Sequence, residues 1–115
     1  MPNPILRFDI GCENRDVTEA FYTDVFGWRF DDNGPYSRAI VGGAEGGAEG
    51  SITALGHEPH QYVMIYVKVE DVAESIASVA KNGGEALLGP LPLPTGGHFA
   101  WFRDPGGNMI GLTDV

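Results

Sequence analysis

Arg7 and Asp9 are the residues of this sequence whose types and spacing come closest to a catalytic pair. They lie two residues apart in an alternating segment, so both side chains are expected on one face of a strand. A guanidinium keeps a neighbouring carboxylate ionised, so Asp9 could act as a base beside Arg7 as an electrophile. The same spacing also fits a plain ion pair on a strand face, and this is the interpretation that the sequence favours.

The three histidines offer weaker chemistry. His57 and His60 lie three residues apart in a loop with Pro59, where they would need a third ligand to hold zinc or iron. Exposed loop histidines are the more common case. His98 opens a predicted strand and is interpreted as a polar edge residue rather than a general base. Asp104 is interpreted as a turn former. No cofactor is expected from these residues, and metal binding by His57 and His60 stays an open alternative.

Composition limits the partners. The chain has 115 residues, with 16 acidic and 7 basic side chains and a formal net charge of −9. This charge repels nucleic acid and anionic membrane surfaces, so neither is expected as a partner, although an acidic groove would suit a cationic ligand. No apolar run approaches the length of a membrane span. The lone Cys12 and the lack of a visible secretory signal predict a cytoplasmic location.

The first half of the chain predicts a strand, a helix and three more strands. Residues 5–10 alternate in polarity as a half-covered strand does. A helix should begin at the N-cap Asn14 and end at Gly27, with the apolar stripe of Val17, Phe21 and Val25 against the sheet. Strands are then expected over 28–31, 36–41 and 51–55. A glycine-rich loop separates the last two.

The second half repeats this order. A strand over 62–69 precedes a helix with a capping box at Asp71 and Glu74, and Gly83 should close that helix. Strands are expected over 85–88, 98–103 and 108–113, with a tight turn over 104–107. The proline-rich piece 89–94 is expected to be a loop, because proline lacks the donor that a sheet ladder needs. The whole chain is thus one domain, 1–115, with repeat modules over about 5–55 and 61–115.

Two motifs carry a family resemblance. The sequence FYTDVFGW ends the first helix and FRDPGGNMIGL forms the last hairpin. With the duplicated βαβββ unit, they resemble the vicinal oxygen chelate superfamily, which includes glyoxalase I, bleomycin resistance proteins and extradiol dioxygenases. The resemblance implies an α+β fold in which two βαβββ modules form a curved mixed sheet. It also implies a homodimer with a ligand cup.

The resemblance also shows where metal ligands would stand. In metal-dependent members of the superfamily, the first strand of each half supplies histidine or glutamate, and the last strand of each half supplies glutamate. These positions fall on Arg7, Met64 and Gly111, and the fourth falls near Glu49 or Gly50. Arginine does not lose its charge to bind a cation, methionine is a weak soft ligand and glycine has no side chain. A member without the usual metal site is therefore expected.

Strand parity predicts the lining of the cup. In the second half, Val67 and Val69 should face the helix, which leaves Tyr62, Met64 and Tyr66 on the opposite face. A dimer surface would explain Tyr62 and Tyr66 equally well. We expect one ligand-binding cavity to be lined by Arg7, Asp9, Met64, Tyr66, Phe99 and Trp101.

Three functions remain open at this level. The first is a metal-free module that binds a small organic molecule in the cup, as the bleomycin resistance proteins bind their ligand. The second is a lyase or isomerase related to lactoylglutathione lyase, which would act on a small carbonyl or thiol adduct. The third is a structural dimer whose cup is filled by side chains. Fold likeness alone does not choose among them.

Overall fold

The computed structural model describes residues 2–31, 37–42, 49–54, 60–94 and 96–115. The chain divides into two compact units, one spanning Arg7–Val63 and the other formed by the segment up to Leu6 together with Met64–Val115. Along the described residues, the order strand, helix, strand, strand, strand occurs twice. The predicted α+β fold of two βαβββ modules is confirmed.

The first module contains one helix and a mixed sheet. Its elements are β1 (Ile5–Gly11), α1 (Arg15–Phe26), β2 (Arg29–Phe30), β3 (Ser37–Gly42) and β4 (Gly50–Thr53). The strand order is β2-β3-β4-β1, with β4 parallel to β1 and antiparallel to β3. Tyr36 and Leu55, which we expected in strands, lie outside the described residues, as does most of the glycine-rich loop.

Helix α1 has the predicted ends. The Asn14 side chain accepts a hydrogen bond from the Val17 amide at 3.1 Å, which satisfies one of the free donors of the first turn. At the other end Gly27 adopts a left-handed conformation with φ of 72°, and its amide bonds to the Thr23 carbonyl. The sequence therefore places both caps correctly.

The apolar stripe of α1 does not face the sheet, which corrects our expectation. Val17, Phe21 and Val25 are 66%, 55% and 54% exposed. The half-buried side of the helix instead carries charge, because Glu19 binds Arg15 at 3.2 Å and Arg38 of β3 at 3.2 Å. These ion pairs hold α1 by its polar side, and the three residues of the stripe remain more than half exposed.

The second module contains the same order of elements, a strand, a helix and three further strands. Its elements are β5 (Tyr62–Lys68), α2 (Val72–Lys81), β6 (Glu85–Pro92), β7 (His98–Arg103) and β8 (Met109–Thr113). The strand order is β5-β8-β7-β6, with β5 and β8 parallel and the remaining pairs antiparallel. The expectation that 89–94 is entirely a loop is wrong, since β6 continues to Pro92. Strand β6 is the last in the strand order and pairs with β7 in an irregular register. Proline is tolerated in a strand of this kind.

Helix α2 covers the core of the second unit. Its N-cap Asp71 accepts from the Glu74 amide at 3.0 Å. Val72 and Ile76 are buried against sheet residues. The core cluster contains Val69, Val72, Ile76, Ala100 and Leu112, with Val67 and Phe102 packed against it. The predicted face assignment is thus confirmed. Gly83 closes the helix as predicted, since it follows the C-cap Asn82 with φ of 95° and the Gly84 amide donates to the Val79 carbonyl at 2.9 Å.

The turn between β7 and β8 is held by Asp104. Its carboxylate accepts hydrogen bonds from the Asn108 amide at 2.8 Å and from the Asn108 side chain at 3.0 and 3.1 Å. The interpretation of Asp104 as a turn former is borne out by these contacts. The same hydrogen bonds stabilise the charged form and lower the pKa of Asp104.

We expect this hairpin turn to be acid-sensitive. Because the folded-state pKa of Asp104 is lowered, its stabilisation is present above the ordinary carboxyl pKa of 3.8 and is lost as the pH falls through the lowered value. The Asn108 amide resonance should report this step in an acid titration. The step should be missing in Asp104→Asn, whereas an inflection at or above the ordinary pKa in the unaltered chain would contradict the assignment.

Candidate functional site

The six predicted ligand-binding residues fall into two sets. Arg7 and Asp9 belong to the unit spanning Arg7–Val63, and the other four belong to the second unit. The second set is Met64, Tyr66, Phe99 and Trp101. That all six line one cavity stays a prediction.

Arg7 and Asp9, the first set, form an ion pair in which Arg7 is partly exposed and Asp9 is buried. Arg7 Nε lies 3.8 Å from Asp9 Oδ1, and the two side chains are 29% and 9% exposed. The contact predicted from their spacing is therefore present. Because the Arg7 side chain is partly exposed and keeps its charge, it can attract an anion or a carbonyl oxygen.

Tyr62 extends the polar part of this unit. Its hydroxyl lies 2.7 Å from Thr53 Oγ1, and its ring packs against Gly11, where no side chain could be accommodated. Burial raises the pKa of Tyr62, and the charges of Asp9 and Cys12 act in the same direction, while the Thr53 hydrogen bond opposes them. The sequence analysis did not name Thr53 as a site residue. Because Ser51 and Thr53 alternate along β4, they point to the same face, and this pair of hydroxyl side chains could have suggested it.

The second set is a packed aromatic cluster. Trp101 Nε1 donates to the Tyr66 hydroxyl at 2.8 Å, and the Phe99 and Trp101 ring centroids lie 6.4 Å apart. Met64, Trp101 and Tyr66 are 1%, 2% and 4% exposed. The structure thus brings Tyr66, Trp101 and Phe99 together, and Met64, Tyr66 and Trp101 expose little surface. Phe99 alone of the set is half-buried.

Gly111 lies directly beneath the Tyr66 ring. The two residues pair across the parallel strands β5 and β8. A Cβ atom on Gly111 would lie 2.5 to 2.8 Å from three carbon atoms of that ring, closer than real Cβ contacts come. Gly111 is the position at which the resemblance implies a glutamate ligand. A glutamate does not fit there while Tyr66 keeps its present position.

At Gly50, one of the two residues to which the resemblance assigns the fourth ligand, the structure also leaves no room for a side chain. Gly50 pairs with Phe8, and the Phe8 ring fills the space that a Gly50 side chain would need. Glu49 is exposed at the start of β4. Among the described residues, no three histidine, cysteine or acidic side chains are grouped so that they could hold a metal ion. His57 lies outside the described residues, so the proposed pair with His60 is not tested.

His98 binds an acidic neighbour. Its Nδ1 lies 3.1 Å from Asp114 Oδ2, and its amide donates to Asp114 Oδ1 at 2.7 Å. These contacts lower the pKa of Asp114, the amide hydrogen bond contributing most. His98 starts β7, which lies between β8 and β6 and is therefore not an edge strand. Its exposed imidazole is thus held at a strand end by a carboxylate.

The FYTDVFGW motif has a structural role. The left-handed turn at Gly27 brings Trp28 back onto Tyr22, with stacked rings 4.8 Å apart and 9° from parallel. Phe26 completes the cluster, at 6.2 Å from Tyr22 and 5.9 Å from Trp28. The Thr23 hydroxyl donates to the Trp28 carbonyl at 2.8 Å. This motif therefore closes the end of α1.

The duplicated βαβββ fold and the Asp104 hairpin define a glyoxalase-like protein. Residues 5–112 match the Glyoxalase/Bleomycin resistance protein/Dioxygenase superfamily, and the chain belongs to this superfamily. No helix in the described part of the chain is long and apolar enough to cross a membrane.

Two relatives and one solved structure illustrate the similarity. A glyoxylase-like domain-containing protein of Didymella fabae is 36% identical over 107 residues, which cover 81% of this chain and 80% of the relative. A putative glyoxylase, CFP32, of Mycobacterium tuberculosis is 27% identical over 111 residues, or 90% of this chain. The match covers 42% of CFP32, so the chain spans less than half the length of that relative.

The solved structure is a methylmalonyl-CoA epimerase variant of Streptomyces coelicolor in complex with 2-nitronate-propionyl-CoA. It superposes with a TM-score of 0.61 at 19% identity and covers 98% of this chain and 94% of its own. Likeness at this level of identity shows the fold and not the reaction.

Proposed function

We propose that this protein binds a small organic molecule and does so without a metal ion. The observation that carries the proposal is the Tyr66 ring lying over Gly111, where metal-dependent members of the superfamily would carry a glutamate. Arg7 and Met64 stand at two further ligand positions, and neither side chain suits a divalent cation. The residues present do not fit a metal of the family type, so recognition falls to the protein's own side chains.

Arg7 indicates which polar group the proposed ligand carries. The partly exposed Arg7 side chain carries a permanent positive charge beside Asp9, and this charge favours a carboxylate, an aldehyde or another carbonyl-bearing group. Phe99 offers apolar surface in the second unit, backed by the buried Trp101. The acidity of the chain supports a cationic guest as the competing ligand class.

A fluorescence screen tests the binding proposal. Aldehydes, thiol adducts, aromatic carboxylates and cationic glycopeptides are titrated against the protein in the presence of a chelator. Trp101 should report a guest that repacks its surroundings, because indole emission depends on local polarity. A Trp101→Phe variant identifies the share of the signal that comes from Trp28. Binding that disappears on chelation and returns with a divalent metal would contradict the proposal.

Replacing Arg7 should distinguish the two ligand classes. We expect Arg7→Ala to weaken an anionic or carbonyl-bearing guest by about 1.5 to 3 kcal/mol, because one charge-assisted hydrogen bond is lost. A cationic guest should bind equally well or better. Isothermal titration calorimetry measures the change. Arg29→Ala, at another exposed arginine of the same unit, is the matched control and should leave affinity unchanged. Equal losses in both variants would mean that Arg7 only contributes net charge.

An enzyme of the lyase or isomerase type is the second candidate. Asp9 is 6% exposed and lies beside Arg7, the arrangement of a base next to an electrophile. The fold likeness to an epimerase supports this class only at the level of scaffold. Deuterium uptake from solvent into a bound carbonyl compound, lost in Asp9→Asn, would favour the enzyme. Tight binding without exchange would favour the binding module.

We further propose that the chain is a homodimer in the cytoplasm. The exposed apolar side chains of the described residues support association with a second copy. The lone, buried thiol of Cys12 suits a reducing compartment. Light scattering at tens of micromolar protein should give twice the chain mass, and a monomer mass would reject the dimer.

A further inference from the structure

We infer that the exposed stripe of α1 is the dimer contact, and that its partner is the α1 stripe of a second copy related by a two-fold axis through Phe21. The inference rests on the proposed homodimer and names its surface. The stripe consists of Val17, Phe21 and Val25, one helical turn apart and each more than half exposed.

The order of residues in the stripe is self-complementary. A two-fold interface requires that one patch fit a copy of itself. When two α1 helices pack antiparallel about Phe21, residues equally distant from Phe21 face each other. Phe21 then meets Phe21 of the second copy, and Val17 meets Val25. This chain satisfies the requirement, because Val17 and Val25 each lie four residues from Phe21.

Charge also allows this pairing. The chain has a net charge of −9, so self-association must keep carboxylates apart. In the antiparallel arrangement the three acidic residues of α1 face neutral positions: Asp16 is opposite Phe26, Glu19 opposite Thr23 and Asp24 opposite Thr18. Glu19 is moreover held on the opposite side of the helix by Arg15 and Arg38. No pair of like charges is brought face to face.

The ion pairs that hold α1 explain why the stripe is available. Arg15 and Arg38 bind Glu19 and fix the polar side of the helix toward β3. At roughly 100° per residue, Phe21 lies about 160° around the helix from Glu19, so the stripe is on nearly the opposite side. The helix is therefore anchored by charge within one copy and is free to bury its apolar side against another.

The size of the surface sets the expected strength. Helix α1 has 12 residues and is roughly 18 Å long, so two paired helices form a small interface. A reversible dimer that dissociates on dilution is expected. Analytical ultracentrifugation over a dilution series gives its dissociation constant.

Replacing Phe21 tests the surface. Phe21→Lys should raise the dissociation constant at least about thirtyfold, the effect typical of a central interface residue. Val63→Lys is the matched control, because Val63 is a 74% exposed apolar residue of β5 and not part of the stripe. A monomeric unaltered chain would overturn both the dimer and this surface. A dimer that persists in Phe21→Lys, or that is lost only in Val63→Lys, would overturn the surface while leaving the dimer in place.

Cysteine cross-linking tests the two-fold axis itself and needs no disruptive change. In a Cys12→Ala background, Phe21→Cys should cross-link to its own copy with a short bis-maleimide. Val17→Cys should cross-link poorly to itself but efficiently when mixed with Val25→Cys. If Val17→Cys links to itself as well as to Val25→Cys, the antiparallel pairing is wrong.

Discussion

Replacing Gly111 by glutamate is expected to lower the free energy of unfolding by about 3 kcal/mol or more. The new Cβ would lie 2.5 to 2.8 Å from the Tyr66 ring, so the ring must leave its position above the strand. Overpacking a core in this way typically costs about 1 to 3 kcal/mol, and a buried carboxylate without a partner adds further cost. Urea denaturation measures the change. The substitution restores the residue implied at this position by metal-dependent relatives and should still create no metal site.

Alanine variants separate crowding from charge. Gly111→Ala should already cost about 1 to 3 kcal/mol, since the clash begins at Cβ. Gly106→Ala is the matched control, because a Cβ there would lie 3.3 Å or more from its neighbours and the backbone does not require glycine. Adding Tyr66→Ala to Gly111→Ala should cost less than the sum of the single changes. Additive costs would show that the ring is not the obstacle.

Replacing Trp101 by alanine should destabilise the second unit by about 3 to 5 kcal/mol. Its indole is 2% exposed, so truncation leaves a large cavity. It also removes the Nε1 donor that lies 2.8 Å from the Tyr66 hydroxyl. Thermal or urea unfolding monitored by circular dichroism gives the difference.

Comparing Trp101→Phe with Trp101→Ala separates the contribution of the Nε1 hydrogen bond from that of ring packing. Trp101→Phe keeps most of the ring and should cost about 1 to 3 kcal/mol, chiefly for the lost hydrogen bond. Trp28→Ala is the control for loss of an indole, because Trp28 is only half-buried and stacks at the end of α1. Its cost should be clearly smaller. Similar costs for Trp28→Ala and Trp101→Ala would contradict the view that Trp101 is a core element of its unit.

Local sequence signals were sufficient for most of the fold. Asn14 and Asp71 mark the helix starts because their side chains accept amide hydrogen bonds that the first turn leaves free. The Asp104 turn was recognised for a similar reason. Parity also identified the helix-facing side of β5, since Val67 and Val69 alternate with Tyr66. These features depend on residues close in sequence, and a single chain is enough to read them.

The errors came from contacts that sequence periodicity does not specify. The stripe of α1 satisfies the pattern of a buried face, yet Glu19 and its two arginines determine which side of the helix meets the sheet. Pro90 and Pro92 suggested a loop because the position of β6 at the end of the strand order was unknown. The fit between Tyr66 and Gly111 depends on the register of two distant strands. Only the structure shows that register.

Elemental analysis of the protein after mild purification tests the central claim most directly. Because Tyr66 closes the Gly111 position and Arg7 and Met64 are poor ligands, we expect zinc, nickel, manganese and iron all far below one atom per chain. A His57→Ala, His60→Ala variant measured in parallel shows whether any trace metal is held by that loop. One retained metal atom per chain in both proteins would contradict the account.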